Sequence, residues 1–538
     1  MKNLIKYILP SATFILTMSM TSCVGDLNVT PIDPNVSTEV TPEGLFNKCY
    51  ANLAISGNGG TSNGDDNCDI DGIDGGTSGF VRQLWNSNEL STDEAICSWS
   101  DDGIQQFDYN TYDASHPMMN GFFARLTTGI SYCNQYLASF SNHDAKMTAE
   151  IRFVRALEYY FLMDAFGNIP FATTPMTAPV RMTRAEAYNW IEKELLDIEG
   201  NLSDPKAKSS SDSGYGLPDK AADWMLLSRL YLNAEVYTGN AQWQKAADYA
   251  KKVMDSGYTL NTQGVNGWSA YQMLFMGDNG ETSASHEAVF AIKADGLKTT
   301  SWASSLFLRA STYDGNMHSN PNSPAATNGT DQNWAGNRAR PDLIRKFFTG
   351  TVPAVTCKDM PAQAHDDRAI FDGKGRSLDN GDGAKGKFTD GYAVAKFVNF
   401  RTDGKGGSDP TFPDADFFLF RVAEAYLTYA EATARLNGGY TTDSGTAAIN
   451  ALRTRAHDPN VKSGYSLSDI CDEWSREFYF EGLRRPTLIR FNRFGGNNDY
   501  YWSYKGGVKA GRAFSADKNI YAIPSAQVKN AITQNPGY

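Results

Sequence analysis

The sequence predicts a mainly α-helical protein, with tetratricopeptide-like helical hairpins as scaffold and long irregular loops read as ligand-binding; its length allows three or four units or one large fold. Three observations carry this. Apolar residues recur every three or four positions along both halves of the chain. Two helix pairs are joined at glycine turns and place small residues where the helices face each other. Three long stretches rich in Gly, Asn, Asp and Ser break the helical period.

In chain order, Lys2 and Lys6 precede an apolar run from Tyr7 to about Met20, then small residues; this is a secretory leader, too short to span a membrane. Met20-Thr21-Ser22-Cys23 resembles a bacterial lipobox, so Cys23 is expected to carry lipid. The boundaries that follow are a leader over 1–22, a tether over 23–40 and a folded domain over 41–538. Thr41-Pro42-Glu43 supplies an N-cap and a first-turn proline for a helix to about Ile55. Ile151, Val154, Leu157 and Phe161 line a helix from Thr148 to Phe166 that Gly167 ends, and Thr183 with Glu186 forms a capping box for the next.

Trp224, Leu227, Leu230, Tyr231 and Ala234 line one helix, Gly239-Asn240 breaks it, and Trp243, Ala246, Ala247, Ala250 and Val253 line its partner. A second hairpin is expected from Phe417 to Leu436, a turn at Gly438-Gly439, and Ser444 to Ala456. No clean 34-residue period accompanies them, and generic antiparallel packing of helices gives the same pattern. The irregular stretches are 57–103, 297–340 and 366–413; the last contains a strand-like alternation at Tyr392, Val394, Lys396 and Val398. Disordered segments are poor in aromatics, whereas these hold Trp85, Trp99, Trp302, Tyr313 and Trp334, so they are read as ordered binding loops.

Composition narrows the function. Hydrophobic residues make up 41 % of the 538 and charged residues 20 %, enough for a large core. With 61 Asp+Glu against 49 Lys+Arg the net charge is −12, and no basic stripe is present, so nucleic acid is not a partner. Gly381 to Phe388 satisfies GxxxxGK, but Phe388 stands where a phosphate loop needs Ser or Thr, so it reads as a surface turn. There is no HExxH, and the six histidines are scattered. No carboxylate pair is marked out for glycoside hydrolysis, although carboxylates are abundant. No cofactor is expected, apart from a weak structural calcium candidate at Asn67, Asp69 and Asp71, which begins like an EF-hand loop but has Ser78 in place of the final glutamate. A solvated polar loop is the simpler reading. Six cysteines besides Cys23 follow no metal or redox spacing and are read as free buried thiols.

Arg152 to Phe161 (RFVRALEYYF), Phe166-Gly167-Asn168-Ile169-Pro170, Arg421 to Leu427, Ala430-Glu431-Ala432, Ile449 to Arg453, Glu477 to Arg484 and the closing Gln534 to Tyr538 occur in an order that resembles the SusD-like (SusD/RagB) outer-membrane lipoproteins, across essentially the whole mature chain. Phe478 and Tyr479 depart from the usual Leu-Ala, and Pro486 interrupts the usual aromatic. The resemblance implies a single helical fold at the cell surface, lipid-anchored in the outer membrane. It implies a non-enzymatic protein that captures oligosaccharide and caps a SusC-like TonB-dependent transporter. The RagB branch implies peptide capture as the alternative, and a secreted glycoside hydrolase is the reading from another class. Arg155, Glu424, Glu431, Arg453 and Glu481, within the matching motifs, are expected to pair inside the helix packing.

A sugar offers an apolar C–H face to aromatic rings and a rim of hydroxyls to Asp, Asn, Gln and Arg. The expected ligand-binding set is therefore Trp85 and Trp99 as platforms with Asp65, Asn67, Asp101 and Asp102 beside them. Trp302, Tyr313 and Trp334 join from the second stretch, and Arg368 and Tyr392 from the third. For each, a loop anchor packed on the scaffold fits the sequence as well as a ligand contact does.

Overall fold

The computed structural model describes residues 40–57, 67–322, 327–529 and 532–538; the leader, Cys23 and Asp65 lie outside them. Nine helices of twelve or more residues are present among the described residues: α1 (Pro42–Ala54), α2 (Pro117–Phe140), α3 (Ala145–Phe166), α4 (Arg184–Ile198), α5 (Lys220–Leu232), α6 (Trp243–Met254), α7 (Val422–Leu436), α8 (Asp443–Arg455) and α9 (Leu467–Phe478). Their starts follow local chemistry. The Thr41 side chain accepts from the Gly44 amide ahead of Pro42, and Thr183 and Glu186 form both bonds of the capping box. α3 begins earlier than its apolar period indicates because Asp144 accepts from the Met147 amide, and it stops at Gly167, whose φ is 69°. No helix is long and apolar enough to cross a membrane among the described residues.

α2 packs on α1 and α3, and α3 on α4. α6 lies between α5 and α7, so the two expected hairpins join into one layered scaffold. Ala246, Ala247 and Ala250 are buried at this contact, where small side chains let the helices come close.

Among the described residues eight short strands complete the fold: β1 (Ala95–Cys97), β2 (Ile169–Phe171), β3 (Val180–Met182), β4 (Ala288–Ile292), β5 (Asn337–Ala339), β6 (Phe371–Asp372), β7 (Ala393–Val394) and β8 (Phe417–Arg421). They form an antiparallel sheet in the order β1-β5-β7-β6 and two hairpin-like pairs, β2–β3 and β4–β8. Here the structure corrects the sequence. Residues 417–421 are not the first turn of the second hairpin but a strand, FFLFR, buried along its whole length against β4. A short apolar run rich in aromatics suits a doubly covered strand, and the helix begins only at Val422. The stretches taken as irregular also hold structure: Phe80–Trp85 is helical and continues as a π-turn over Asn86–Leu90, and Ser305–Ala310 is helical. Of the alternation at 392–398 only β7 pairs as a strand, and the intervening Ala393, Ala395 and Phe397 are buried too, so the run does not alternate.

The expected ionic residues do pair inside the packing. Arg155 reaches Glu194 at 3.1 Å, Glu424 meets Arg229 at 2.6 Å, Glu431 meets Arg490 at 2.7 Å, Arg453 meets Glu473 at 2.7 Å and Glu481 meets Arg421 at 2.8 Å. They belong to a larger buried lattice in which Arg421 also contacts Glu287 and Glu477, each at 3.1 Å, and Lys396 donates to Glu481 at 2.7 Å. Burial pushes the Lys396 ammonium down to about 8, against the pull of Glu481. Removing one partner leaves a buried charge uncompensated, at a cost of about 3–5 kcal/mol. The lattice thus joins the turn that leads into β4 with β8, α8 and α9.

Candidate functional site

Three of the expected tryptophans come together at the surface. Trp99 and Trp334 have ring centroids 6.3 Å apart with planes inclined by 53°; Trp334 and Trp302 are 6.2 Å apart and inclined by 43°. Phe412 extends the row, 5.1 Å from Trp302. All four are half-buried. The rings come from three segments distant in sequence, and the sheet explains why they meet. β1 pairs with β5 in the register Cys97↔Asn337, the Ser98 amide donates to the Gly336 carbonyl at 3.1 Å, and Trp99 is delivered beside Trp334. The Trp99 indole Nε1 donates to the Trp334 carbonyl at 3.1 Å, and the Trp334 Nε1 donates to Gln332 Oε1 at 3.0 Å.

Two backbone features fix this corner. Ala335, directly after Trp334, has φ of 51°, a left-handed conformation that a side chain rarely adopts, held by its amide bonding to the Tyr313 carbonyl at 2.9 Å. Gly336 lies under the Trp99 ring: a Cβ there would sit 2.1 Å from its Cε2. Arg82 places its guanidinium 5.7 Å from the Trp99 centroid and 5.2 Å from that of Phe307. Asp101 and Asp102 are exposed just beyond Trp99. On the far side, Asp331 is exposed, accepts from Thr411 at 3.0 Å, and receives the Gln332 side-chain amide at 2.9 Å.

Four expected site residues are elsewhere, and each has a packing role. Trp85 is 2 % exposed, wedged between Phe307 at 5.4 Å and Phe480 at 5.1 Å, one layer beneath Trp99. Tyr313 is fully buried and donates to the Ala395 carbonyl at 3.0 Å. Tyr392 is buried, its ring against Gly373 and its hydroxyl donating to the Pro353 carbonyl at 3.1 Å. Arg368 is fully buried, bonded to Asp366 at 2.8 Å and Glu473 at 2.7 Å; burial opposes its charge, but these carboxylates outweigh it and hold the guanidinium well above its usual range. Asn67 is exposed, with its backbone carbonyl against Gly57. At the calcium candidate, Asp69 pairs with Lys48 and Arg125, each at 2.9 Å. Among the described residues no group of three His, Cys, Asp or Glu is placed to hold a metal.

Sequence reasoning missed Arg82, Phe412, Asp331 and Gln332. Phe412 carried a signal, being an aromatic in the third polar stretch; Arg82 carried none, since it sits on a short helix. A separate groove of about 540 Å³ is lined by Asp278, Glu281, Lys293, Asp295 and Arg401, with Tyr215 its one aromatic, so it lacks the flat apolar face of the tryptophan row. What the row offers chemically is a series of indole rings, each inclined to the next by roughly half a right angle, flanked by acceptors and a guanidinium.

Comparison with known proteins agrees with this architecture. The family model described as SusD family matches residues 372–538. The chain is 36 % identical over 564 residues to the starch-binding protein SusD of Bacteroides thetaiotaomicron, covering 97 % of each. A SusD superfamily protein from Parabacteroides distasonis superposes with a TM-score of 0.66 at 18 % identity, covering 93 % of this chain and 100 % of the other. Surface glycan-binding protein A from Bacteroides thetaiotaomicron, in complex with laminarihexaose, superposes with a TM-score of 0.62 at 16 % identity over 92 % of this chain and 98 % of its own. These likenesses establish the fold, and the near full-length identity to the first relative establishes the lineage: the chain belongs to the SusD family.

Proposed function

We propose that the protein captures glycan at the outer surface of the cell, and that its ligand is a curved glucan of the starch type. The observation that carries this is the inclination of successive rings, 53° and then 43°, along Trp99, Trp334 and Trp302. A flat ribbon of sugars meets one such plane and leaves the next, whereas a helical α-glucan presents its C–H faces at successive angles. Stacking removes apolar area from water at roughly 25 cal/mol per Å². Asp101, Asp102, Asp331, Gln332 and Arg82 supply partners for the hydroxyl rim. The starch-binding relative supports the same reading.

The protein binds without cleaving, holds to the membrane through lipid on Cys23, and caps a SusC-like TonB-dependent transporter that imports what it delivers. Family membership and the lipobox-like Met20-Thr21-Ser22-Cys23 support this. Calorimetry of the leader-free protein with maltoheptaose, laminarihexaose and cellohexaose tests the ligand. Binding of maltoheptaose, weakened at least tenfold by Trp99→Ala or Trp334→Ala with the fold intact, is expected. Binding of laminarihexaose alone would overturn the starch-type assignment, and indifference to all three would overturn the site. Release of reducing ends from starch would overturn the non-enzymatic reading.

A further inference from the structure

The first two long helices carry cysteines that face each other. Contacts on either side of the pair give the antiparallel register of α1 and α2. Phe46, one turn before Cys49, meets Tyr136, one turn after Cys133, with ring centroids 6.1 Å apart. Asn52, three residues after Cys49, donates to the Arg125 carbonyl and lies against Gly129, four residues before Cys133. Counting inward from both sides places Cys49 opposite Cys133. The helices are close at this level: a Cβ on Gly129 would lie 2.2 Å from Asn52 Nδ2 and 1.8 Å from Glu158 Oε1. Both thiols are free in this structure and neither residue has any exposed surface; burial first, and then the neighbouring Cys49, push the Cys133 thiol well above its usual range.

We propose that Cys49 and Cys133 are a disulfide site that clamps α1 to α2 once the protein has left the cytoplasm, an inference that rests on the cell-surface reading. A disulfide needs Cα atoms within about 7 Å and Cβ atoms near 4 Å, as facing positions of closely packed helices provide. The chemistry is thiol–disulfide exchange. Cys49 and Cys133 give up two protons and two electrons as their S–S bond forms, and the disulfide of an envelope dithiol oxidase takes them and is left as a dithiol. Because neither thiol reaches the surface of the folded chain, exchange occurs while α1 is still undocked, and the finished bond is shielded from reductants afterwards. α1 is the element through which any pull from the preceding chain enters the fold, so a covalent link there transmits force directly to α2 and, through its packing, to α3.

The test uses full-length protein taken from the protease-accessible surface fraction, alkylated before lysis and digested without reductant. One cross-linked peptide pair joining Cys49 to Cys133, 2 Da lighter than the two reduced peptides together, is expected. The bridge closes a loop of about 84 residues, so reductant added during melting is expected to lower Tm by roughly 3–5 °C. The Cys49→Ala/Cys133→Ala double variant is expected to melt at one temperature with or without reductant. Alkylation of both thiols in surface-exposed wild type would overturn the proposal while leaving the localisation intact. Refolding of purified protein with oxidised glutathione decides it independently of export: failure to form this bridge, or pairing of either cysteine with another, would also overturn it.

Discussion

Gly336→Ala probes the binding corner without removing any group that meets ligand. The added methyl would stand 2.1, 2.4 and 2.5 Å from Cε2, Nε1 and Cζ2 of Trp99. Carbon atoms rest at about 3.5–4.0 Å, so the indole must retreat by roughly 1.5 Å. It cannot do so while keeping the 3.1 Å bond from Nε1 to the Trp334 carbonyl. Forcing a methyl into a filled space costs about 1–3 kcal/mol, the lost bond included. Bound sugar meets a ring that is displaced but still present, so affinity should fall by less than in Trp99→Ala, about three- to tenfold, or ~0.7–1.4 kcal/mol. The assay is calorimetry with maltoheptaose alongside indole fluorescence, which should report the altered ring environment. Gly315→Ala, in the same polar stretch with nothing within 4 Å of the new methyl, is the control. Unchanged affinity and fluorescence in Gly336→Ala would show that Trp99 does not lie on this glycine in the binding-competent protein.

Trp85→Ala should cost about 3–5 kcal/mol in denaturant melts, because the ring is buried between Phe307 and Phe480, while the fraction still folded binds glycan within threefold of wild type; a stable variant that has lost binding would restore Trp85 to the site. Arg421→Met should destabilise by about 3–5 kcal/mol, since Glu287, Glu477 and Glu481 then face one another with less compensation; a neutral effect on Tm would mean the lattice carries no net weight. Asp108 should make stability depend on pH: burial pushes its carboxyl from 3.8 up to about 7, against the nearby Arg340 and Arg338. Its contribution is whole below about pH 4, where both states are protonated, and is lost as the pH rises through 7. Asp108→Asn, which stays neutral, should therefore lose less stability than wild type between pH 4 and 7.5, and parallel pH profiles would refute the assignment.

Much of the fold was legible because its signals are local. Thr41, Thr183 and Gly167 act on their own helix ends, and the alanines of α6 mark a close helix contact before any partner is known. The paired charges were legible for a related reason: Arg and Glu set into apolar helix faces have to find each other. The strand at 417–421 was not, since a five-residue apolar run is compatible with either element and only pairing with β4 decides it. Composition singled out Trp99, Trp302 and Trp334, which the structure gathers at the surface, and also Trp85, which it buries. Phe80 with Leu84 and Val81 with Trp85 fall at spacings of four, the mark of a buried helical face, although glycines precede them. Arg368 and Tyr392 were drawn into the site by a polar neighbourhood that in space belongs to the ionic lattice and to a packed strand. Loop composition says which rings are present; which way they face depends on long-range pairing that no local window contains.

The glycines of these stretches serve close approach more than freedom of movement, and that changes what the site can do. Gly336 admits the Trp99 ring, Gly79 lies against the Ala303 carbonyl, and Gly329 lies against the backbone of Asn399 and Phe400. Trp99 and Trp334 are further bound to each other through the indole bond, and the β1–β5 register prevents either from shifting alone. Immobilising a free side chain on binding costs about 0.5–1.5 kcal/mol, so three rings already in place save roughly 1.5–4.5 kcal/mol, or about tenfold to a thousandfold in affinity. An open row of half-buried rings nevertheless buries only one side of a chain of sugars, unlike a pocket that encloses its ligand. The two facts together favour a platform that seizes long polymers by rigid repetition along their length, with each single contact weak enough to let go.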